Sequence, residues 1–258
     1  QGVFYKVIET VAEDETVTYA PGNADGEADA DAENLVERDG VTYVCELVKD
    51  CVIGDDGVVL SLEDTARVMI VDNTREFEDV AGDKWYSDAV TFVTAREIFN
   101  GDSETTFSPE GTMTRAMLAQ VLYNFDRDSE AGIAAAFGDV KDDTWYSDAV
   151  NWAASEGIVN GYDDETFGPM DEITREQLVT MLYRYVALRG YDMSGAADLS
   201  GYTDADSIHD WAGDAMAWAV GVGLVNGVDE GVLEPGGNAT RAQVATIMER
   251  LVEWQARQ

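Results

Sequence analysis

The sequence predicts a mainly α-helical C-terminal region of three helical repeats, preceded by a small β-rich N-terminal domain. Three observations carry this. The hexapeptide Trp-Tyr-Ser-Asp-Ala-Val occupies 85–90 and recurs unchanged at 145–150, with a looser copy, Trp-Ala-Gly-Asp-Ala-Met, at 211–216. Thr-Arg pairs follow at Thr114-Arg115, Thr174-Arg175 and Thr240-Arg241, and both markers step by 60 and then 66 residues. Residues 1–76 instead hold short runs rich in Val, Tyr and Thr, the composition of strands. Chance does not give two markers the same irregular steps, and such self-similarity marks tandem units.

In the first 76 residues, strands are expected over 3–11, 16–20, 41–48, 58–62 and 66–71. Residues 21–34, polar and rich in Asp and Ala, read as a long loop whose acids fit no EF-hand pattern. Cys45 and Cys51 stand in a strand-like stretch, where a small disulfide and two buried thiols fit equally. No metal and no cofactor are expected, because zinc needs more ligands and the chain's single histidine is His209. That count also excludes a His-activated nucleophile before residue 209. His209, in a polar loop beside Asp210, reads as solvated or capping. The chain starts at Gln1 without a signal-peptide pattern and reads as a processed or trimmed piece of something longer.

The repeats divide as 77–136, 137–201 and 202–258, after a region 1–76 that is a small β-rich domain or the end of a larger one. Each opens on an aromatic-x-Asp step: Phe77/Asp79, Phe137/Asp139, Tyr202/Asp204. A first helix follows the Trp, with Ala89, Val90 and Val93, or Ala149, Trp152 and Ala153, at helical spacing. A glycine-punctuated loop comes next, Gly157–Gly161 in the second unit and Gly223–Gly227 in the third, with Gly101 at the matching second position of the first. The second helix starts at the Thr. Thr174 with Gln177 and Thr240 with Gln243 have capping-box spacing, whereas Thr114 meets Met117 and lacks the return partner. These helices carry apolar stripes: Leu118, Val121, Leu122, Phe125; Leu178, Met181, Leu182, Tyr185; Val244, Ile247, Met248, Leu251. One unit buries too little surface to stand alone, so each must cover its neighbour's apolar face. The six extra residues fall in the Gly- and Asp-rich linker around 190–201.

With 52 acidic against 16 basic residues and a net charge of −36, the surface repels phosphate backbones and anionic membranes. Nucleic acid and membrane insertion are therefore excluded as partners, and no apolar run reaches the length of a membrane span. A hydrophobic content of 45% suffices for a core.

The Phe-x-Asp-Val step, the Trp, the Gly-Ile-Val-Asn-Gly loop, the Phe-x-Pro turn and the Thr-Arg helix start resemble S-layer homology domains, over roughly residues 77–254. The resemblance implies a pseudo-threefold bundle of three copies at one end of an exported bacterial protein. It implies grooves between copies that bind a secondary cell-wall polysaccharide, often through a pyruvate ketal. It implies an extracellular, cell-wall or S-layer location and no enzyme activity. The expected function is non-covalent wall anchoring through an anionic, pyruvylated glycan. The alternative is a surface-layer assembly module contacting lattice neighbours; a glycoside hydrolase fragment ranks far behind, since no pair of acids stands out.

The candidate ligand-binding residues are Arg115, Arg175 and Arg241, with Asp79, Asp139 and Asp204, Gly101, Gly161 and Gly227, and Trp85, Trp145 and Trp211. An Arg one position past a helix N-cap combines its guanidinium fork with the positive helix end, suiting a carboxylate. The glycines let backbone approach a ligand, and the tryptophans offer a sugar platform. Structural roles compete. The arginines can pair with Asp79, Asp139 and Asp204 to fasten units, the Asp residues can cap the following turn, and a Trp opening an apolar helix is more often core. Unit one has Glu97 where the others have Gly157 and Gly223, and the groove built on Arg115 is expected to be weaker or silent for that reason.

Overall fold

A computed structural model describes residues 73–126 and 137–258 in full, and between 2 and 72 the backbone of eight short strands. It divides into two units, Gln1–Arg75 and Glu76–Gln258.

In the first unit, Gly2–Val7 runs antiparallel between Val41–Val48 and Val68–Asp72, and Leu35–Arg38 pairs on the far side of Val41–Val48. Thr10–Val11 with Val17–Thr18, and Val52–Gly54 with Gly57–Val59, form two-stranded ladders. Leu35–Arg38 and Val52–Gly54 went unmarked in the sequence because one ends on two charges and the other has only three residues. The loop expected at 21–34, Cys51 and the Cys45 side chain lie outside the described residues.

The second unit is helical. Each repeat supplies a short first helix and a longer second one: α1 (Ser87–Ala95) and α2 (Arg115–Phe125), α3 (Ser147–Ser155) and α4 (Arg175–Leu188), α5 (Gly213–Gly221) and α6 (Arg241–Gln255). The second helices begin as their sequences require. Thr174 and Thr240 complete capping boxes with Gln177 and Gln243, while Thr114 only accepts from the Met117 amide. Two residues past the end of each first helix stand Glu97, Gly157 and Gly223, all at positive φ (54°, 71° and 80°), so unit one does place a non-glycine residue in left-handed backbone. All twelve stripe residues of the second helices are buried.

The stripes are buried between repeats. α2 packs on α3, α4 on α5, and α6 returns to α1, closing a ring. At its centre three backbone bonds run head to tail: Met113 N–H donates to Ala239 O (2.9 Å), Ala239 N–H to Ile173 O (3.0 Å), and Ile173 N–H to Met113 O (2.9 Å). The first two amides of each second helix are also spent across the junction. Arg115 and Ala116 donate to Asp171 O and Pro169 O, Arg175 and Glu176 to Gly237 O and Pro235 O, and Arg241 and Ala242 to Gly111 O and Pro109 O. Groups that helix starts ordinarily leave to solvent thus become the joints of the ring. A bidentate pair, Arg189 with Asp126, adds to the joint between repeats one and two.

Candidate functional site

The three repeated arginines lie at the joints, each 5 or 6% exposed. Arg115 Nε and Nη2 donate to Phe167 O (2.8 Å) and Asn160 O (2.9 Å) of repeat two. Arg175 does the same to Leu233 O (2.9 Å) and Asn226 O (3.0 Å) of repeat three. Arg241 closes the circle on Phe107 O (2.6 Å) and Asn100 O (2.9 Å) of repeat one. Burial lowers the pKa of all three, and nearby anions and Tyr162 offset part of that. They stay cationic, as guanidinium does in proteins. Among the described residues, Nη1 of each has no hydrogen-bond partner.

The Arg–Asp ion pairs of the competing structural reading do not form. Each Asp instead holds the same loop from its own repeat. Asp79 accepts from the Phe107 and Ser108 amides (2.9 and 2.6 Å), Asp139 from Phe167 and Gly168 (2.8 Å each), and Asp204 from Leu233 and Glu234 (2.9 and 2.7 Å). Phe107, Phe167 and Leu233 are therefore held twice: each donates its N–H to the Asp of its own repeat and accepts at its carbonyl from the previous repeat's Arg. This also corrects the turn-capping role, since the Asp reaches 28 to 30 residues along the chain rather than into the turn that follows it. Gly101 and Gly227 fit the same loops for a steric reason: a Cβ would stand 2.6 Å from Ser103 O or 2.5 Å from Val232 O, and at Gly161 it would strike Asp163 O.

Two cavities of about 390 Å³ open between repeats. One is lined by Arg115, the 159–162 loop, Gln177 and Arg184 of α4, and Trp211. The other has Arg175, the 224–228 loop, Gln243 and Arg250 of α6, and Trp85. Each draws on all three repeats. The tryptophans are not core: Trp85, Trp145 and Trp211 are 65, 56 and 52% exposed. They precede the first helix, and the next residue, Tyr86, Tyr146 or Ala212, takes the buried place.

Sequence reasoning missed Arg184 and Arg250, although each follows the repeated Arg by nine residues in units two and three. Arg250 Nη1 donates to Leu224 O at 3.1 Å. With its side-chain amide turned so that both of its polar atoms find partners, Asn160 accepts from Arg184 Nη2 at 3.3 Å, and burial lowers the Arg184 pKa. Unit one has Asn124 there, and Asp102 where the others have Tyr162 and Val228. Ser108 and Thr106 hydroxyls, with Arg241 nearby, hold the Asp102 carboxyl below its ordinary range. Glu97 does not share a groove loop with Arg115. Arg115 reaches the loop of repeat two, and the repeat carrying Glu97 offers its loop to Arg241.

A closed ring of three two-helix repeats with arginine-lined clefts between them is the architecture of a tandem-repeat module. The S-layer homology domain family matches residues 76–117, 136–179 and 201–245, half of the chain, and the chain belongs to that family. It is 33% identical over 184 residues to an amylopullulanase of Thermoanaerobacterium thermosulfurigenes, covering 69% of this chain and 10% of that protein. It is 28% identical over 182 residues to the surface-layer 125 kDa protein of Lysinibacillus sphaericus (69% and 15%). To the cellulosome-anchoring protein of Acetivibrio thermocellus it is 25% identical over 151 residues (57% and 33%). The chain spans a third or less of the length of these relatives. The domain is a non-catalytic anchoring module, and the chain is a cell-surface or cell-wall protein. Among the described residues no helix is long and apolar enough to cross a membrane.

Proposed function

We propose that the chain anchors its parent protein by binding an anionic, pyruvylated secondary wall glycan in the two cavities built on Arg115 and Arg175. The observation that carries this is a pair of arginines lining each cavity, in a chain of net charge −36. A pyruvate ketal is a compact carboxylate on a polyol. The free Nη1 of the joint Arg and the second Arg suit the carboxylate, and the exposed indole suits the sugar face. The groove built on Arg241 pairs one Arg with Asp102 and has Asn124 for the second Arg, so we assign it no ligand. Asp79, Asp139, Asp204 and the three loop glycines serve by shaping the loops. For residues 1–76 we propose a small β-rich spacer, or the end of a larger domain, ahead of repeats at 77–136, 137–201 and 202–258.

The test is co-sedimentation with isolated bacterial walls, before and after mild acid removal of pyruvate ketals, for wild type and the Arg184→Gln/Arg250→Gln double variant. These two arginines are chosen because Arg115 and Arg175 also hold the ring shut. Binding lost on acid treatment and at least tenfold weaker in the folded variant is the expected result. Undiminished binding to acid-treated walls would remove the pyruvate assignment, and self-association without wall binding would favour lattice assembly.

A further inference from the structure

Trp211 is the cavity wall that has lost its aromatic neighbour. Trp85 and Trp145 are each followed by a tyrosine and meet it edge-on, at 5.2 and 5.1 Å between centroids. Trp211 is followed by Ala212, and its ring contact is with His209 instead, stacked at 5.7 Å and 25°. His209 is itself tethered. Its Nδ1 lies 2.8 Å from Glu176 Oε1, and its backbone N–H donates to Glu176 Oε2 at 3.1 Å. Glu176, the second residue of α4, is 3% exposed. A carboxylate taken that far from water requires partners, and His209 supplies one to each oxygen.

Neither residue belongs to the repeat pattern. Asp83 and Asp143 stand where repeat three has His209, and Ala116 and Ala242 stand where repeat two has Glu176. The pair thus occurs at one of the two cavities, and ties the turn that carries Trp211 to the helix that carries Gln177 and Arg184. An exposed indole on a short turn must otherwise be ordered by its ligand, which weakens binding; a wall ordered beforehand avoids that cost.

We propose that His209 and Glu176 are positioning residues for the cavity built on Arg115, holding the Trp211 indole as the wall on which a sugar ring of the ligand stacks. The ligand part rests on the glycan reading above; the positioning part does not.

The experiment uses a Trp85→Phe/Trp145→Phe background, in which Trp211 is the exposed tryptophan among the described residues and the other grooves lack their indole. Time-resolved anisotropy of the acrylamide-quenchable emission reports Trp211 mobility, and calorimetry with a methyl 4,6-O-(1-carboxyethylidene) hexoside reports binding. His209→Ala and Glu176→Gln should each loosen Trp211 and weaken the glycoside about fivefold or more. His209→Asn, whose Nδ2 can take the place of Nδ1 toward Glu176, should restore most of both. Unchanged Trp211 mobility in folded His209→Ala and Glu176→Gln would overturn the proposal, as would loosened Trp211 with undiminished binding. Loosened Trp211 in a parent that binds no glycoside would overturn the glycan reading and leave the positioning role standing.

Discussion

At the residue scale, one side chain does two jobs. Arg175 spends Nε and Nη2 on the carbonyls of Leu233 and Asn226, and it also lines a cavity. Its removal leaves the buried Leu233 carbonyl and the part-buried Asn226 carbonyl at a joint without their donor, so Arg175→Ala should cost about 3 kcal/mol of stability. Urea denaturation of residues 76–258 measures this; a loss under about 1 kcal/mol would mean the joint is held by helix packing alone. Glu97, at φ 54°, makes the opposite case. Glu97→Gly should raise stability by about 1 kcal/mol, because glycine occupies that backbone region without strain. An unchanged midpoint would show the strain to be relieved elsewhere. The left-handed residue was legible from the aligned repeats, since two glycines stood in its column. The exposure of Trp85, Trp145 and Trp211 was not, because a Trp at the lip of a helix and a Trp inside it follow the same local pattern.

At the element scale, helices, caps and stripes were legible because each rests on neighbours within a few turns. The Asp79–Phe107 and Arg115–Phe167 bonds span 28 and 52 residues, and no local pattern reports them. Whole faces are likewise set by the partner helix. On α6, Glu249 is half-buried, and desolvation, then Glu253 and Asp88 across the α1 joint, push its carboxyl above the ordinary Glu range. A raised folded pKa means that the folded state binds the proton more tightly than the unfolded chain does. Stability from this group is therefore greatest below the ordinary value of 4.5 and falls as pH rises through the raised one. Glu249→Gln should increase Tm at pH 7.5, and the increment should shrink at pH 5. Equal increments at both pH values would assign the gain to something other than charge.

At the scale of the whole molecule, stability belongs to the ring. Every joint repeats one set of bonds: a central backbone link, two helix-start amides and an arginine fork, with an apolar stripe behind them. Because the third joint runs from repeat three back to repeat one, the chain end at α6 completes a unit begun at Phe77. Deleting 202–258 does not remove one third of the joints. It removes the acceptors of Arg175 and the donors that cap the Gly111 and Pro109 carbonyls, leaving only the joint between repeats one and two. A fragment 76–201 should therefore lack a cooperative thermal transition. Relinking tests the same logic without losing a joint. A permutant beginning at Phe137, ending at Asp126 and joining Gln258 to Glu76 by a flexible linker keeps all six helices, and should unfold in one transition within a few degrees of the parent. If the fragment melted cooperatively, or the permutant failed to fold, the units would be held by sequence neighbours and not by closure.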